Sequence, residues 1–140
     1  MSFLLDTNVV SQLRKREPDR AVMSWLASVR AADLYLSVLV VGEIRNGIER
    51  LARRDREQAS AYERWLVELL DLYADRIAPV TAEVAETWGR INVPDPLPVV
   101  DGLLAATALV HDWTLVTRNV TDVRRTGVRL VDPFEPSRLR

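Results

Sequence analysis

The chain has 140 residues, of which 48% are hydrophobic and 28% charged, and its net charge is −1. This length and balance suit one globular domain and argue against disorder. The absence of cysteine excludes disulfides and zinc–thiolate sites, and the single histidine leaves little for an imidazole-based metal site. No apolar run approaches the ~18 residues of a membrane span, and Met1 leads straight into a predicted strand. We therefore expect a cytoplasmic protein.

Short apolar runs alternate with amphipathic segments along the chain. The apolar runs predict strands at 2–5, 33–36, 76–79, 114–116 and 127–131. Apolar spacing along one helix face predicts helices near 9–14, 19–29, 38–51, 57–73, 81–91 and from about 101 to 111. This alternation is typical of an α/β fold with a mainly parallel central sheet flanked by helices. We expect one domain, 1–140, that ends in a polar tail over 132–140.

Local signals refine this outline. Ser37 and Thr81 are the expected N-caps of the helices that follow them. The helices 38–51 and 57–73 are expected to form an αα-hairpin, and the proline-rich segment 93–98 a loop. The four tryptophans lie at helical core spacing and are interpreted as packing residues. The arginine-rich groups near 14–16, 50–56 and 124–129 suit phosphate binding, but solvated surface is an equally good interpretation.

Four carboxylates are candidate functional residues. Asp6 follows the first strand, Asp101 opens a predicted helix, and Asp122 lies in a polar turn after the fourth predicted strand. Glu43 lies on the flank of an apolar helix face. Each has an ordinary alternative role, as a turn residue, a helix cap or a surface charge. The carboxyl ends of parallel strands share one edge, however, where ligands bind in open α/β sheets.

The four acids together predict a metal site more strongly than any one of them alone. Oxygen ligands without histidine or cysteine suit Mg²⁺ or Mn²⁺, and such ions usually recruit substrate phosphate oxygens. Clustered carboxylates repel one another unless a cation compensates. Hydroxyl and amide groups nearby would orient the acids or bound water, and we assign this role to Thr7, Asn8, Thr117 and Asn119.

The segments that carry these residues resemble a PIN-domain ribonuclease. They are LLDTNVVSQL, the helix of Glu43, DGLLAATALVHDWTLVTRNVTDV and the closing VRLVDPF. The resemblance covers nearly the whole chain and is strongest to toxins of VapBC-type toxin–antitoxin pairs, within the FitB-like branch. It implies that Asp6, Glu43, Asp101 and Asp122 bind Mg²⁺ or Mn²⁺ and are the catalytic residues. An acid frequent after the first motif is replaced here by Gln12, which we expect to affect how RNA or a partner side chain is held.

The same resemblance implies the partners. The expected substrate is RNA, and the expected protein partner is a small antitoxin. Operator DNA would be bound only through this antitoxin. A homodimer is also expected, and we assign its apolar surface to Val22, Trp25 and the helices 38–51 and 57–73.

Other functions remain open from the sequence. A non-catalytic RNA- or protein-binding module that kept the fold is the main alternative. A phosphotransferase with Asp6 as nucleophile needs an acid two residues later and a nearby lysine, whereas the chain offers Asn8 and only Lys15. The chemistry of the four acids does not distinguish RNA from DNA.

Overall fold

A computed structural model describes residues 1–135, which contain a five-stranded sheet. The strands are β1 (Phe3–Leu5), β2 (Leu34–Ser37), β3 (Ile77–Ala78), β4 (Thr114–Val116) and β5 (Leu130–Val131). Their order across the sheet is β3-β2-β1-β4-β5, and every neighbouring pair is parallel. The predicted fold class is confirmed, and the sheet is parallel throughout.

Helices connect the strands. In the described part of the chain the α-helices are α1 (Thr7–Val10), α2 (Arg20–Ala27), α3 (Val38–Ala52), α4 (Arg56–Leu72), α5 (Ala82–Ile91), α6 (Val99–His111) and α7 (Val120–Val123). Short 3₁₀ turns cover Ser11–Arg14, Ala31–Asp33 and Arg124–Thr126. None of the described helices has the length and apolarity required to cross a membrane.

The core forms around the two central strands. All residues of β1 and β4 are buried, so both faces of the sheet centre are covered by helices, as parallel sheets require. Val40, Ile44 and Ile48 of α3 are buried at the spacing that the sequence predicted. The predicted hairpin of α3 and α4 is present, and Arg45 Nη1 donates to Glu63 Oε1 across it at 2.9 Å.

The predicted caps are confirmed. Ser37 Oγ accepts the Leu39 amide at 3.0 Å, and Thr81 Oγ1 accepts the Val84 amide at 3.1 Å. Such caps satisfy amide groups that have no partner within the helix.

Two predictions about position were wrong, and one boundary is shifted. Helix α6 begins at Val99 after Pro98, two residues before the predicted start near Asp101, so Asp101 lies within its first turn. The polar segment before Asp122 was expected to be a turn, but Asp122 lies in the short helix α7. Val22, expected to contribute exposed apolar surface, is fully buried, and the Trp25 ring packs edge-on against Phe3 at 5.1 Å between ring centroids.

The predicted polar tail is described only as far as Glu135. Asp132 is buried, and its Oδ1 accepts the Phe134 amide at 2.9 Å. Residues 136–140 of the predicted tail lie outside the described residues.

Candidate active site

Asp6 lies where β1 ends and α1 begins. Its side chain is buried, with 5% of its surface exposed, and serves as the N-cap of α1. Asp6 Oδ1 accepts the Thr7 amide at 2.6 Å, and Asp6 Oδ2 accepts the Asn8 Nδ2 amide at 3.3 Å. Because the preceding strand is buried on both faces, a charged group at this point requires such donors.

A loop from the neighbouring strand holds the same carboxylate. Thr117 follows β4, and its hydroxyl donates to Asp6 Oδ2 at 2.6 Å while accepting the Asn119 amide at 3.0 Å. The Arg118 amide donates to Asn8 Oδ1 at 3.4 Å. The segments after β1 and β4 are therefore bonded to each other at the carboxyl edge of the sheet.

The pKa of Asp6 reflects its position. Burial raises the pKa above its ordinary value of 3.8, and repulsion by Glu43 acts in the same direction. The hydrogen bonds from Thr117, Thr7 and Asn8 lower the pKa but do not cancel the effect of burial.

Glu43 reaches this edge from α3. Its side chain is exposed, as expected from its place on the flank of the apolar face, and its Oε1 accepts the Thr7 hydroxyl. Thr7 therefore links two of the acids, since its amide binds Asp6 and its hydroxyl binds Glu43.

Asp101 carries the clearest sign that the acids form a cluster. The pKa of its carboxyl is raised from 3.8 to about 6, first by burial and then by the charges of the other acids. In order of effect these acids are Asp6, Asp122 and Glu43. The Asn119 side chain lowers the pKa of Asp101, so this amide lies beside the carboxylate as the sequence predicted. The other three candidate acids thus all act electrostatically on Asp101.

The residue after Asp101 brings α6 close to α5. A Cβ atom built on Gly102 would lie 3.1 Å from the Trp88 ring and 3.3 Å from Leu97 Cβ. An alanine at this position would therefore require the Trp88 ring or Leu97 to move by a few tenths of an ångström.

Asp122 and Gln12 are placed differently from the other predicted residues. Asp122 is exposed on α7, in the first turn of that helix, within electrostatic range of Asp101. Gln12 is buried, and its Oε1 accepts the Asp19 amide at 2.9 Å, so it holds the start of α2. The effect expected of Gln12 on RNA or a partner side chain stays a prediction.

A groove beside Glu43 was not predicted. It has a volume of about 420 Å³, and Thr7, Glu43, Arg14, Tyr62 and Trp65 are among the residues that line it. The tryptophans were expected only to pack in the core, and Tyr62 was given no further role. The only sequence signals for this groove were the first two arginine-rich groups, which contain Arg14 and Arg54.

The donor set fits a divalent cation. No group of three acidic or histidine side chains in residues 1–135 could hold a metal ion by itself. The ion pairs formed within these residues also leave Asp6, Glu43, Asp101 and Asp122 without a cationic partner. Oxygen donors and uncompensated negative charge suit Mg²⁺ or Mn²⁺, which keep waters and recruit phosphate oxygens to complete their coordination.

Comparison with known proteins agrees with this arrangement. Residues 3–127 match the PIN domain family. A VapC ribonuclease of Sinorhizobium fredii is 31% identical, with 96% of this chain and 99% of that protein covered. Toxin FitB of Neisseria gonorrhoeae is 32% identical, with 94% of this chain and 98% of that protein covered. The crystal structure of FitAcB from Neisseria gonorrhoeae has a TM-score of 0.84 at 32% identity, covering 94% of this chain and 98% of the other. The chain belongs to the PIN-domain family.

Proposed function

We propose that the protein is a Mg²⁺- or Mn²⁺-dependent endoribonuclease that hydrolyses RNA phosphodiester bonds as the toxin of a type II toxin–antitoxin system. The observation that carries this proposal is the pKa of Asp101, raised to about 6 by burial and by three neighbouring acids. An isolated structural carboxylate would not have these neighbours. Membership of the PIN-domain family and the similarity to a VapC ribonuclease support ribonuclease activity.

In this proposal Asp6, Asp101 and Asp122 would hold the metal, directly or through water, and Glu43 would bind it or orient the attacking water. A bound divalent cation would supply activation of water and stabilisation of charge on the phosphate oxygens. The chain supports this chemistry by fixing its carboxylates in advance. Thr117 and Thr7 hold Asp6 from two sides, and the Thr7 hydroxyl orients Glu43.

Cleavage of total RNA tests the proposal. We expect cleavage in Mn²⁺ or Mg²⁺, none in excess EDTA, and none by the Asp6→Asn variant in any metal. Asparagine is as good an N-cap as aspartate, but its amide nitrogen cannot accept the bonds from Thr117 and Asn8, so circular dichroism must first show that this variant is folded. Asp71→Asn on the exposed surface of α4 is the matched control and should cleave like wild type. Equal cleavage in EDTA would refute the metal mechanism, and no cleavage in either metal would favour the binding-module alternative.

DNA as substrate needs a separate comparison, because the four acids do not distinguish ribose from deoxyribose. A single-stranded DNA of the same base sequence as a cleaved RNA should remain intact under the same conditions. Sequencing the ends of the RNA fragments would then identify the target.

We propose that a small antitoxin inhibits the protein by placing a basic side chain beside the acids. A cation there relieves the same repulsion that a metal relieves. The similarity to Toxin FitB supports such a partner, and operator DNA would be bound only through it. Co-expression with a small adjacent reading frame should give a stable complex that does not cleave RNA. A complex that remains fully active would refute this mode of inhibition.

A homodimer is also proposed. Large apolar side chains are exposed on both helices of the hairpin, namely Val38 on α3 and Val67 and Leu72 on α4. Light scattering should give twice the mass of one chain, and Val67→Lys should shift the equilibrium towards monomer. A monomer at all concentrations would refute the dimer.

A further inference from the structure

The groove of about 420 Å³ is continuous with the acid cluster. Thr7 and Glu43 lie on its wall, and the groove extends between the Ser11–Arg14 turn and the α3–α4 hairpin. The rest of its lining combines apolar and basic side chains. They include Ile48, Leu51 and Trp65 on the apolar side and Arg14 and Arg54 on the basic side.

Arg14 is the best-fixed cation of this groove. Its guanidinium lies 4.3 Å from the centre of the Tyr62 ring, and the Tyr62 hydroxyl in turn accepts a hydrogen bond from Gln58 Nε2 at 2.9 Å. Arg14 is half-buried and forms no ion pair within residues 1–135, where the ion pairs involve other arginines. The cation–π contact with Tyr62 restrains the guanidinium and does not use its N–H groups, which can therefore donate to an anion.

We propose that this groove binds the RNA strand on the Glu43 side of the scissile phosphate, in single-stranded form. Arg14 is a positioning residue that contacts a backbone phosphate, Arg54 supports it, and the apolar wall around Trp65 receives an unstacked base. The inference rests on the proposed endoribonuclease function and specifies its substrate.

The combination of charges and apolar surface favours one strand over a duplex. Arginines bind the phosphates of either form, but only a single strand offers unstacked bases to an apolar wall. The groove leads to Glu43, so a strand lying in it reaches the acids without leaving the surface.

Two substitutions test the groove without changing any of the acids. Arg14→Gln removes one cation. Gly47→Leu adds a side chain to the groove wall, at a helical position where a Cβ meets no atom within 4 Å, so the fold should tolerate it. Arg64→Gln is the matched control, because Arg64 lies exposed on α4 outside the groove.

Binding is measured by fluorescence anisotropy with a random-sequence single-stranded RNA of about 12 nucleotides, in an Asp6→Asn background that leaves the RNA intact. Arg14→Gln should weaken binding roughly tenfold and reduce the salt slope by about 0.7, the effect of one lost phosphate contact on a single strand. Arg14→Lys should restore most of the slope but not all of the affinity. Gly47→Leu should weaken binding without changing the slope.

Cleavage by chains that retain Asp6 separates this inference from the proposed function. Arg14→Gln should raise KM about tenfold and leave kcat within about twofold, as expected for loss of uniform binding. If wild type cleaves RNA and both groove variants bind and cleave like Arg64→Gln, the inference is wrong and the groove serves another occupant, such as a protein helix. Equal affinity of wild type for duplex RNA would also overturn it. Failure of wild type to cleave any RNA would refute the proposed function instead.

Discussion

The Thr117 hydroxyl donates to Asp6 Oδ2 at 2.6 Å, across 111 positions of sequence. The same oxygen atom of Thr117 accepts the Asn119 amide. One hydroxyl group therefore fixes the most buried of the four acids and the start of the segment that carries Asp122. This bond connects β1 to β4 at the point where the candidate active site is assembled.

Thr117→Val should disturb the site through this bond. Valine keeps the shape but removes both hydrogen bonds, so we expect a loss of about 1–2 kcal/mol of unfolding free energy. The pKa of Asp6 should rise further, because the Thr117 hydrogen bond lowers it. Weaker stabilisation by Mn²⁺ should follow. Melting curves in EDTA and in Mn²⁺ measure both effects.

The matched control is Thr107→Val on α6. Thr107 is also fully buried, but its hydroxyl donates to the Leu103 carbonyl of its own helix at 2.7 Å. This variant should respond to Mn²⁺ like wild type. An equal loss of the Mn²⁺ response in both variants would mean that Thr117 has no specific role in the site.

Asp101→Asn should stabilise the protein when metal is absent. Removing one negative charge relieves repulsion from the neighbouring acids, and the expected gain is about 1 kcal/mol after discounting for the partial exposure of the side chain. Mn²⁺ should then stabilise wild type by mass action and the variant much less. The difference between their melting temperatures should narrow or reverse as Mn²⁺ is added. A variant that is destabilised in EDTA and responds to Mn²⁺ like wild type would mark Asp101 as a structural acid.

The same pair of proteins should differ in pH dependence. The pKa of Asp101 is raised from 3.8 to about 6, so below pH 4 the group is protonated in both the folded and the unfolded chain. Between pH 4 and about 6 the folded chain binds more protons, and its stability falls as pH rises. The unfolding free energy of Asp101→Asn minus that of wild type, measured in EDTA by urea titration, should therefore increase over this interval and level off above it. A difference that does not change with pH would contradict the raised pKa.

Much of the fold was predictable because its signals are local. Ser37 and Thr81 cap their helices through bonds to amides two or three residues away, and the β1 and β4 runs are apolar at every position. The start of α6 was predicted two residues too late. Val99 and Val100 follow a proline and are β-branched, and β-branched residues have a lower helix propensity. Helix α7 was missed because it is only four residues long and rich in residues typical of turns.

The candidate site was predictable in its residues but not in its supports. The ends of the predicted parallel strands placed Asp6 and Asp122 at one edge, and the predicted helices added Glu43 and Asp101. The motif resemblance then implied that these four acids bind a metal. The sequence could not reveal that Thr7 bonds Glu43, since this contact depends on how α1 and α3 pack. Val22 was misjudged for a similar reason: periodicity identifies an apolar face but not the neighbour that covers it.

Gly102→Ala should change the site from a distance. The added methyl group would lie 3.1 Å from the Trp88 ring, so α6 must move away from α5 or the ring must shift. We expect a loss of about 1–3 kcal/mol of stability from overpacking and reduced metal-dependent cleavage, although no acid is altered. Gly89→Ala on α5, where a Cβ meets no atom within 4 Å, is the control and should leave cleavage unchanged. Unchanged cleavage by Gly102→Ala would show that the site is insensitive to this spacing.

The close approach at Gly102 ties the position of Asp101 to the neighbouring helix as well. The Trp88 ring of α5 lies 3.1 Å from where a Cβ of Gly102 would be, and Asp101 is the residue before Gly102. A smaller side chain at position 88 should let α6 move towards α5 and change how deeply the Asp101 carboxyl group is buried. Because burial is the first cause of its raised pKa, substitutions at Trp88 should shift that pKa while all four candidate acids stay the same.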